Sequence, residues 1–74
     1  MKIRVKLYGV HRIGRFKEEL RDVPAGQTVR AVVEQLQIPG TLLGTVLIDG
    51  VHASLDDQLR EGAELSLLPI LGGG

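Results

Sequence analysis

The residues with the most direct chemical potential stand last in the chain: Pro69, Ile70, Leu71, Gly72, Gly73 and Gly74. A terminal glycine presents its carboxylate with no side chain to block attack on the carbonyl. Once activated, it has no stereocentre to racemise. Three successive glycines lack Cβ atoms, so the backbone can pass through a narrow channel. Ile70 and Leu71 add two apolar side chains for pockets along the way. Extended, six residues reach at most about 20 Å, at about 3.3 to 3.6 Å each. The segment has the shape of a substrate. Ordering it costs on the order of 1 to 2 kcal/mol per residue, which a receiving surface must offset with main-chain hydrogen bonds and side-chain pockets. The bland alternatives are a frayed terminus or a remnant of cloning.

Other chemistry is sparse. Without cysteine, the chain has no disulfide, zinc-thiolate site, iron-sulfur cluster or thiol nucleophile. His11 and His52 lack a ligand-spaced partner, so both are expected at the solvent surface and no metal site is expected. Asp56 and Asp57 are adjacent, which suits a capped turn better than convergence on one substrate atom. The glycines at the end lack the lysine and following helix of a phosphate loop. Arg4, Lys6 and Tyr8 can share an exposed sheet face, but with aromatics at 3% there is no stacking platform for nucleic acid.

At 74 residues the chain makes one small domain. Its 43% hydrophobic content supports a core and argues against wholesale disorder. No apolar run approaches the roughly 18 residues of a membrane span, and Met1 to Lys6 alternates charge with hydrocarbon, unlike a signal peptide. The expectation is a soluble, cytoplasmic protein without a membrane partner. Formal net charge is zero, against a nucleic-acid partner, yet the halves differ in sign. Residues 1–30 hold eight basic groups against three acids, a net of +5, and residues 31–74 hold Arg60 against six acids, a net of −5. Folding decides whether this asymmetry survives to orient a charged partner.

The elements that must position the last six residues read as follows. Ile3, Val5 and Leu7 alternate with Lys2, Arg4 and Lys6, the period of a strand with one wet face. After a glycine-containing loop over Gly9 to Arg15, Phe16 to Arg21 reads as a charged edge strand with Phe16 and Leu20 on one face. Thr28 is placed to cap a helix whose Val29, Val32, Val33 and Leu36 form an apolar stripe, and Ile38-Pro39-Gly40 ends it. Thr45 to Ile48 is an apolar strand, and Asp49-Gly50 favours a type I′ turn into Val51 to Ala53. Leu55 to Arg60 is expected as one irregular helical turn. Glu64 to Leu68 is a last strand with Leu65 and Leu67 inward and Leu68 on the opposite side, beside the tail. Proline at 69 should then stop the sheet. The pattern is α+β: a mixed sheet with one main helix packed on one face. The expected division is a folded domain over 1–68 and an extended, flexible glycine-rich tail over 69–74.

The Asp49-Gly50 turn, the Leu59-x-x-Gly62 spacing, the last strand with its proline and the Gly-Gly end together resemble the ubiquitin-like sulfur-carrier proteins. Pro24 to Val29 is similar to that family's entry into its helix. The family comprises the small subunit of molybdopterin synthase and the thiamine-pathway sulfur carrier. The resemblance implies the β-grasp fold and a carrier, not itself an enzyme, with no stably bound cofactor. Its terminal carboxylate is adenylated by an E1-like partner that uses ATP and magnesium. A sulfur donor then replaces the adenylate, leaving a thiocarboxylate. A cofactor-synthesising enzyme, such as a molybdopterin synthase large subunit, consumes it. Position by position, Gly74 carries the acyl group, with Gly73 the penultimate residue, or the reactive end if Gly74 is trimmed. Leu68, Pro69, Ile70, Leu71 and Gly72 are the partner-binding residues. The long opening hairpin leans toward the molybdopterin branch. Two rivals stay open: a modifier joined to lysines through the same activated glycine, and an interaction-only domain.

Overall fold

The structure, a computed structural model, describes residues 1–70. Elements run β1 (Lys2–Leu7), a 3₁₀ turn (Gly9–Arg12), β2 (Glu18–Asp22), α1 (Val29–Gln35), a second 3₁₀ turn (Gly40–Leu42), β3 (Leu43–Ile48), β4 (Val51–His52) and β5 (Glu64–Pro69). The five strands form one sheet in the order β2-β1-β5-β3-β4. β1 and β5 are parallel, and the other neighbours are antiparallel. A mixed sheet with one helix on one face is the expected β-grasp arrangement. None of the described helices is long and apolar enough to cross a membrane.

Period-two alternation turns Ile3, Val5 and Leu7 of β1 toward α1, where they join Leu65 and Leu67 of β5 and Val46 of β3. The complete stripe Val29, Val32, Val33 and Leu36 meets them. Because valines are poor helix formers, this burial stabilises α1 more than propensity does. Thr28 caps it as expected: its Oγ1 accepts from the Ala31 N–H at 3.2 Å. Asp49 and Gly50 take φ of 51° and 81°, the pair of positive values that a type I′ turn needs.

The helix stops earlier than Pro39-Gly40. Gln37 adopts φ 55°, its N–H donates to Glu34 O at 3.0 Å, and the Ile38 N–H donates to Val33 O at 3.2 Å. This is the left-handed closure usually built on glycine. Arg15 completes it, donating from Nε to Leu36 O and from its second terminal nitrogen to Gln37 O, both at 2.8 Å. A single side chain therefore ties the β1–β2 loop to the end of α1.

Two expectations on local structure are corrected. Leu55 to Arg60 forms a turn and an isolated bridge between Thr28 and Gln58, with no helical turn. Its backbone is committed elsewhere: Asp57 O and Leu55 O accept the Val29 and Arg30 N–H groups at 3.0 and 2.8 Å, and the Leu59 N–H donates to Gln27 O at 2.7 Å. The segment thereby satisfies the start of α1, whose first N–H groups have no partner within the helix. Phe16 and Leu20 do not share a face. β2 starts only at Glu18, so Phe16 precedes it and packs on the core, whereas Leu20 lies opposite Arg4 on the wet face and is exposed.

A residue with a side chain at φ 55° carries strain of about 1 kcal/mol that glycine does not. Gln37→Gly is expected to raise unfolding free energy by roughly 0.5 to 1 kcal/mol in urea denaturation. A decrease would show that the Gln37 side chain contributes more than its backbone strain costs.

Candidate functional site

The site is the end of β5, from which residues 71–74 follow. β5 lies in the middle of the sheet, bonded to β1 on one side and β3 on the other. Its ladder carries through Pro69, which pairs with Leu43, and the Ile70 N–H donates to Leu42 O at 2.8 Å. The sheet therefore does not stop at the proline. The reason lies in the parallel register: a residue at 69 would donate to Tyr8 O, and that carbonyl already accepts the His11 N–H at 3.2 Å. Proline removes a donor exactly where none is needed, so the strand loses nothing.

Two glycines shape the walls of this end. A Cβ on Gly44 would stand 2.7 Å from Pro69 O and 2.8 Å from Ile70 N, inside the backbone of β5. The β3–β5 register shifts at this point, between Leu43 and Thr45. On the other side, Gly9 has φ +55°, and a Cβ there would lie 2.9 Å from Pro69 Cγ. Neither glycine was expected to matter. The signal for Gly44 was legible as a lone glycine inside the apolar run Leu42 to Ile48, a pattern that marks a bulge or close backbone approach.

The residues proposed for partner contact fall as follows. Leu68 points to the face opposite Leu65 and Leu67, as alternation requires, and is half-buried. Pro69 is half-buried and Ile70 is 51% exposed. Leu71, Gly72, Gly73 and Gly74 lie outside the described residues, as does most of the expected tail.

His11 is not at the surface. It is the buried residue of the 3₁₀ turn that packs against β5, 1% exposed, and its Nε2 has no hydrogen-bond partner among the described residues. Burial pushes its pKa below the ordinary 6.5, the nearby Leu68 carbonyl works the other way, and Arg15 adds to the lowering. The ring is a packing element beside the tail root rather than a proton donor to solvent. The apolar residues on either side of it, Val10 and Ile13, are the ones exposed, so the sequence pattern inverts here. His52 is exposed as expected.

The remaining candidates are accounted for locally. Asp57 accepts the Ser54 N–H at 2.8 Å and Asp56 pairs with Arg30 at 3.0 Å, which makes the expected capped turn. On the wet sheet face Arg4 is bonded to Glu18, and Lys6 to Glu64 at 2.9 Å. That contact holds the Lys6 ammonium above its ordinary pKa, through the hydrogen bond first and the charge of Glu64 second. A cleft of about 390 Å³ opens at the far end of the sheet, beside Asp49, His52 and Arg60. Its carboxylates are occupied by backbone, Asp49 accepting the Glu64 N–H at 2.9 Å. Among the described residues no three groups converge as metal ligands.

The ThiS family model matches residues 5–74. Three solved structures share the fold. A Pyrococcus furiosus protein assigned as molybdopterin converting factor subunit 1 superposes with a TM-score of 0.76 at 22% identity, covering 93% of this chain and 97% of that one. SAMP1 of Haloferax volcanii gives 0.75 at 24% identity and covers all of both chains. A chain from the Helicobacter pylori complex of molybdopterin-converting factor subunits 1 and 2 gives 0.67 at 19%, again over all of both chains. No curated protein sequence matches at the significance required.

Two outcomes test the site geometry. Gly44→Val should destabilise the fold by about 1 to 3 kcal/mol through overpacking, and should lower amide-exchange protection at Ile70 more than at Val5. Equal protection at the two amides would contradict the close approach. For His11, the unfolded chain takes up a proton that the folded ring resists, so stability is complete above about pH 6.5 and falls as pH drops below it, by at most about 1.4 kcal/mol per pH unit. His11→Phe should remove that dependence. A wild-type and variant stability difference that stays constant from pH 7 to about pH 5 would contradict the burial of a neutral ring.

Proposed function

The chain belongs to the ThiS family, and on that premise we propose that it is a sulfur carrier whose terminal glycine is adenylated and converted to a thiocarboxylate for cofactor biosynthesis, in the molybdopterin branch. The observation that carries this reading is a family match running to residue 74, joined to a β5 that delivers Ile70 from the centre of a fully bonded sheet. Such a strand makes a fixed base for a short, thin reactive segment.

The steps follow from the chemistry of the end group. The Gly74 carboxylate attacks the α-phosphorus of ATP, with magnesium, on an E1-like partner, and pyrophosphate leaves. Persulfide sulfur from a donor attacks the acyl carbon and AMP leaves. A thiol then cuts the S–S bond, ending as the donor's disulfide, and the thiocarboxylate remains. If Gly74 is trimmed, Gly73 takes the same role. This chain contributes the acyl group, the extended segment and the docking surface around Leu68, Pro69 and Ile70. The long β1–β2 connection, Tyr8 to Lys17, supports the molybdopterin branch, whose large synthase subunit is the consuming partner.

Intact-mass measurement of the protein isolated from its native host tests the reading. The expected species is heavier by one oxygen-for-sulfur exchange, localised to the last residue. Lysine-linked conjugates in place of that species would favour a modifier. Deleting Gly73 and Gly74 should abolish function, and retained function would point to an interaction-only domain.

A further inference from the structure

Most charges on this protein are neutralised in the fold. Lys2 pairs with Asp22, Arg4 with Glu18, Lys6 with Glu18 and Glu64, Arg21 with Glu19 and Arg30 with Asp56. Among the described residues, four cations form no ion pair: Arg12, Arg15, Lys17 and Arg60. The first three fall in the loop Gly9 to Lys17, which contains no acid. That loop sits at the tail end of the sheet, since the Leu7 N–H donates to Lys17 O at 2.9 Å, the Tyr8 N–H donates to Leu67 O at 3.2 Å, and Gly9 abuts Pro69.

The acids without an ion pair among the described residues segregate the other way. Asp49, Asp57 and Glu61 each accept a backbone N–H, from Glu64, Ser54 and Lys2 respectively. All three lie at the end where β1 begins and β3 turns into β4. About a strand's length, roughly 20 Å at about 3.3 Å per residue, separates the two ends. Only Glu34, on the last turn of α1, lies on the side of the basic loop. The opposed signs of the two sequence halves thus survive folding in reduced form, along the direction of β1 and β5.

The same basic end carries most of the exposed large apolar side chains. Ile13 is 74% exposed, Val10 and Leu42 are exposed, and Ile70 is 51% exposed. Leu42 and Ile70 are held together by the main-chain bond between them, and the Val10 loop packs on β5. Clusters of this kind, apolar with charge of one sign, mark protein contact surfaces.

We infer that Val10, Arg12, Ile13, Lys17, Leu42 and Ile70 form a collar that docks on a protein partner through an apolar ring with an acidic rim. The inference rests on the carrier reading, under which the partner's channel admits residues 71–74 and its mouth must contact whatever surrounds Ile70. A cationic collar meets an acidic mouth, and the long-range attraction aligns the carrier with its tail end foremost before contact. Arg12 is held in place for this, with its Nε on Leu7 O at 2.7 Å and its guanidinium 5.6 Å from the centre of the Tyr8 ring. Arg15 is clasped to carbonyls and adds charge rather than contact.

The test uses the full chain with the adenylating enzyme of the same organism, followed by ATP–pyrophosphate exchange across a salt series. Lys17→Glu and Arg12→Gln should each raise KM for the carrier by about threefold to tenfold at low salt, with kcat within about twofold of wild type. The wild-type KM should rise with salt, and the Lys17→Glu KM should rise less. Ile13→Asp should raise KM at every salt concentration. Arg60→Glu, at the far end, should leave KM unchanged. Circular dichroism confirms that each variant is folded. Exchange that proceeds with a KM insensitive to Lys17, Arg12 and Ile13 overturns the collar and leaves the carrier reading standing. No exchange with the wild-type chain overturns both. Binding to phosphatidylserine vesicles through these residues, with KM unaffected, would assign the collar to a membrane instead and overturn the protein partner.

Discussion

The parallel pairing of β1 with β5 is the constraint on which the rest of this protein depends. It places the last strand between β1 and β3, bonded on both sides, instead of at an edge where it could fray. Antiparallel neighbours alone would have let β5 continue the β3–β4 meander outward. A parallel partner requires a crossover, and α1 supplies it, covering the inner face of the sheet as it crosses. The strand that leads into the C-terminal residues therefore has one of the best-supported backbones in the molecule.

That support changes the energetics of what lies beyond. With Pro69 in the ladder and the Ile70 N–H bonded to Leu42, the first two of the six residues read from the sequence as a tail are fixed by the sheet. At about 1 to 2 kcal/mol per residue, fixing two residues in advance lowers the ordering cost by roughly 2 to 4 kcal/mol. Gly9 and Gly44 make this possible by admitting Pro69 and the backbone of β5 at distances where a Cβ would collide. Arg15 holds the loop that carries Gly9 and His11 against the end of α1, so the root of the tail is braced from both layers.

Faces were readable where a period was clean. The alternation of β1, the stripe on α1 and the Asp49-Gly50 turn each follow from a local rule that tertiary contacts did not override. Strand order was not readable, because a period of two says which face a residue shares and nothing about which strand lies alongside. Leu55 to Arg60 departs from its local pattern for a related reason: its carbonyls serve the start of α1, a partner 25 or more residues away in sequence. The burial of His11 was not readable from its lack of a ligand-spaced partner, since it depends on Val10 and Ile13 being turned outward, and neither residue signals that by itself. At the site, the reading of Leu68 to Gly74 rests on residue type and resemblance. Gly9, Gly44 and Gln37 emerged only with the fold, although the glycine within the β3 pattern had been a usable clue.

The central claim is that the carboxylate at the end of this chain is what gets activated. The most direct measurement replaces that carboxylate with an amide by semisynthesis, on Gly74 and, in a chain ending at Gly73, on Gly73. Each chain is then offered to the adenylating enzyme with ATP, and release of AMP and pyrophosphate is followed. A carrier gives turnover with the free acid and none with either amide. Undiminished turnover, or undiminished cofactor production in cells supplied with the amidated chains, would contradict it.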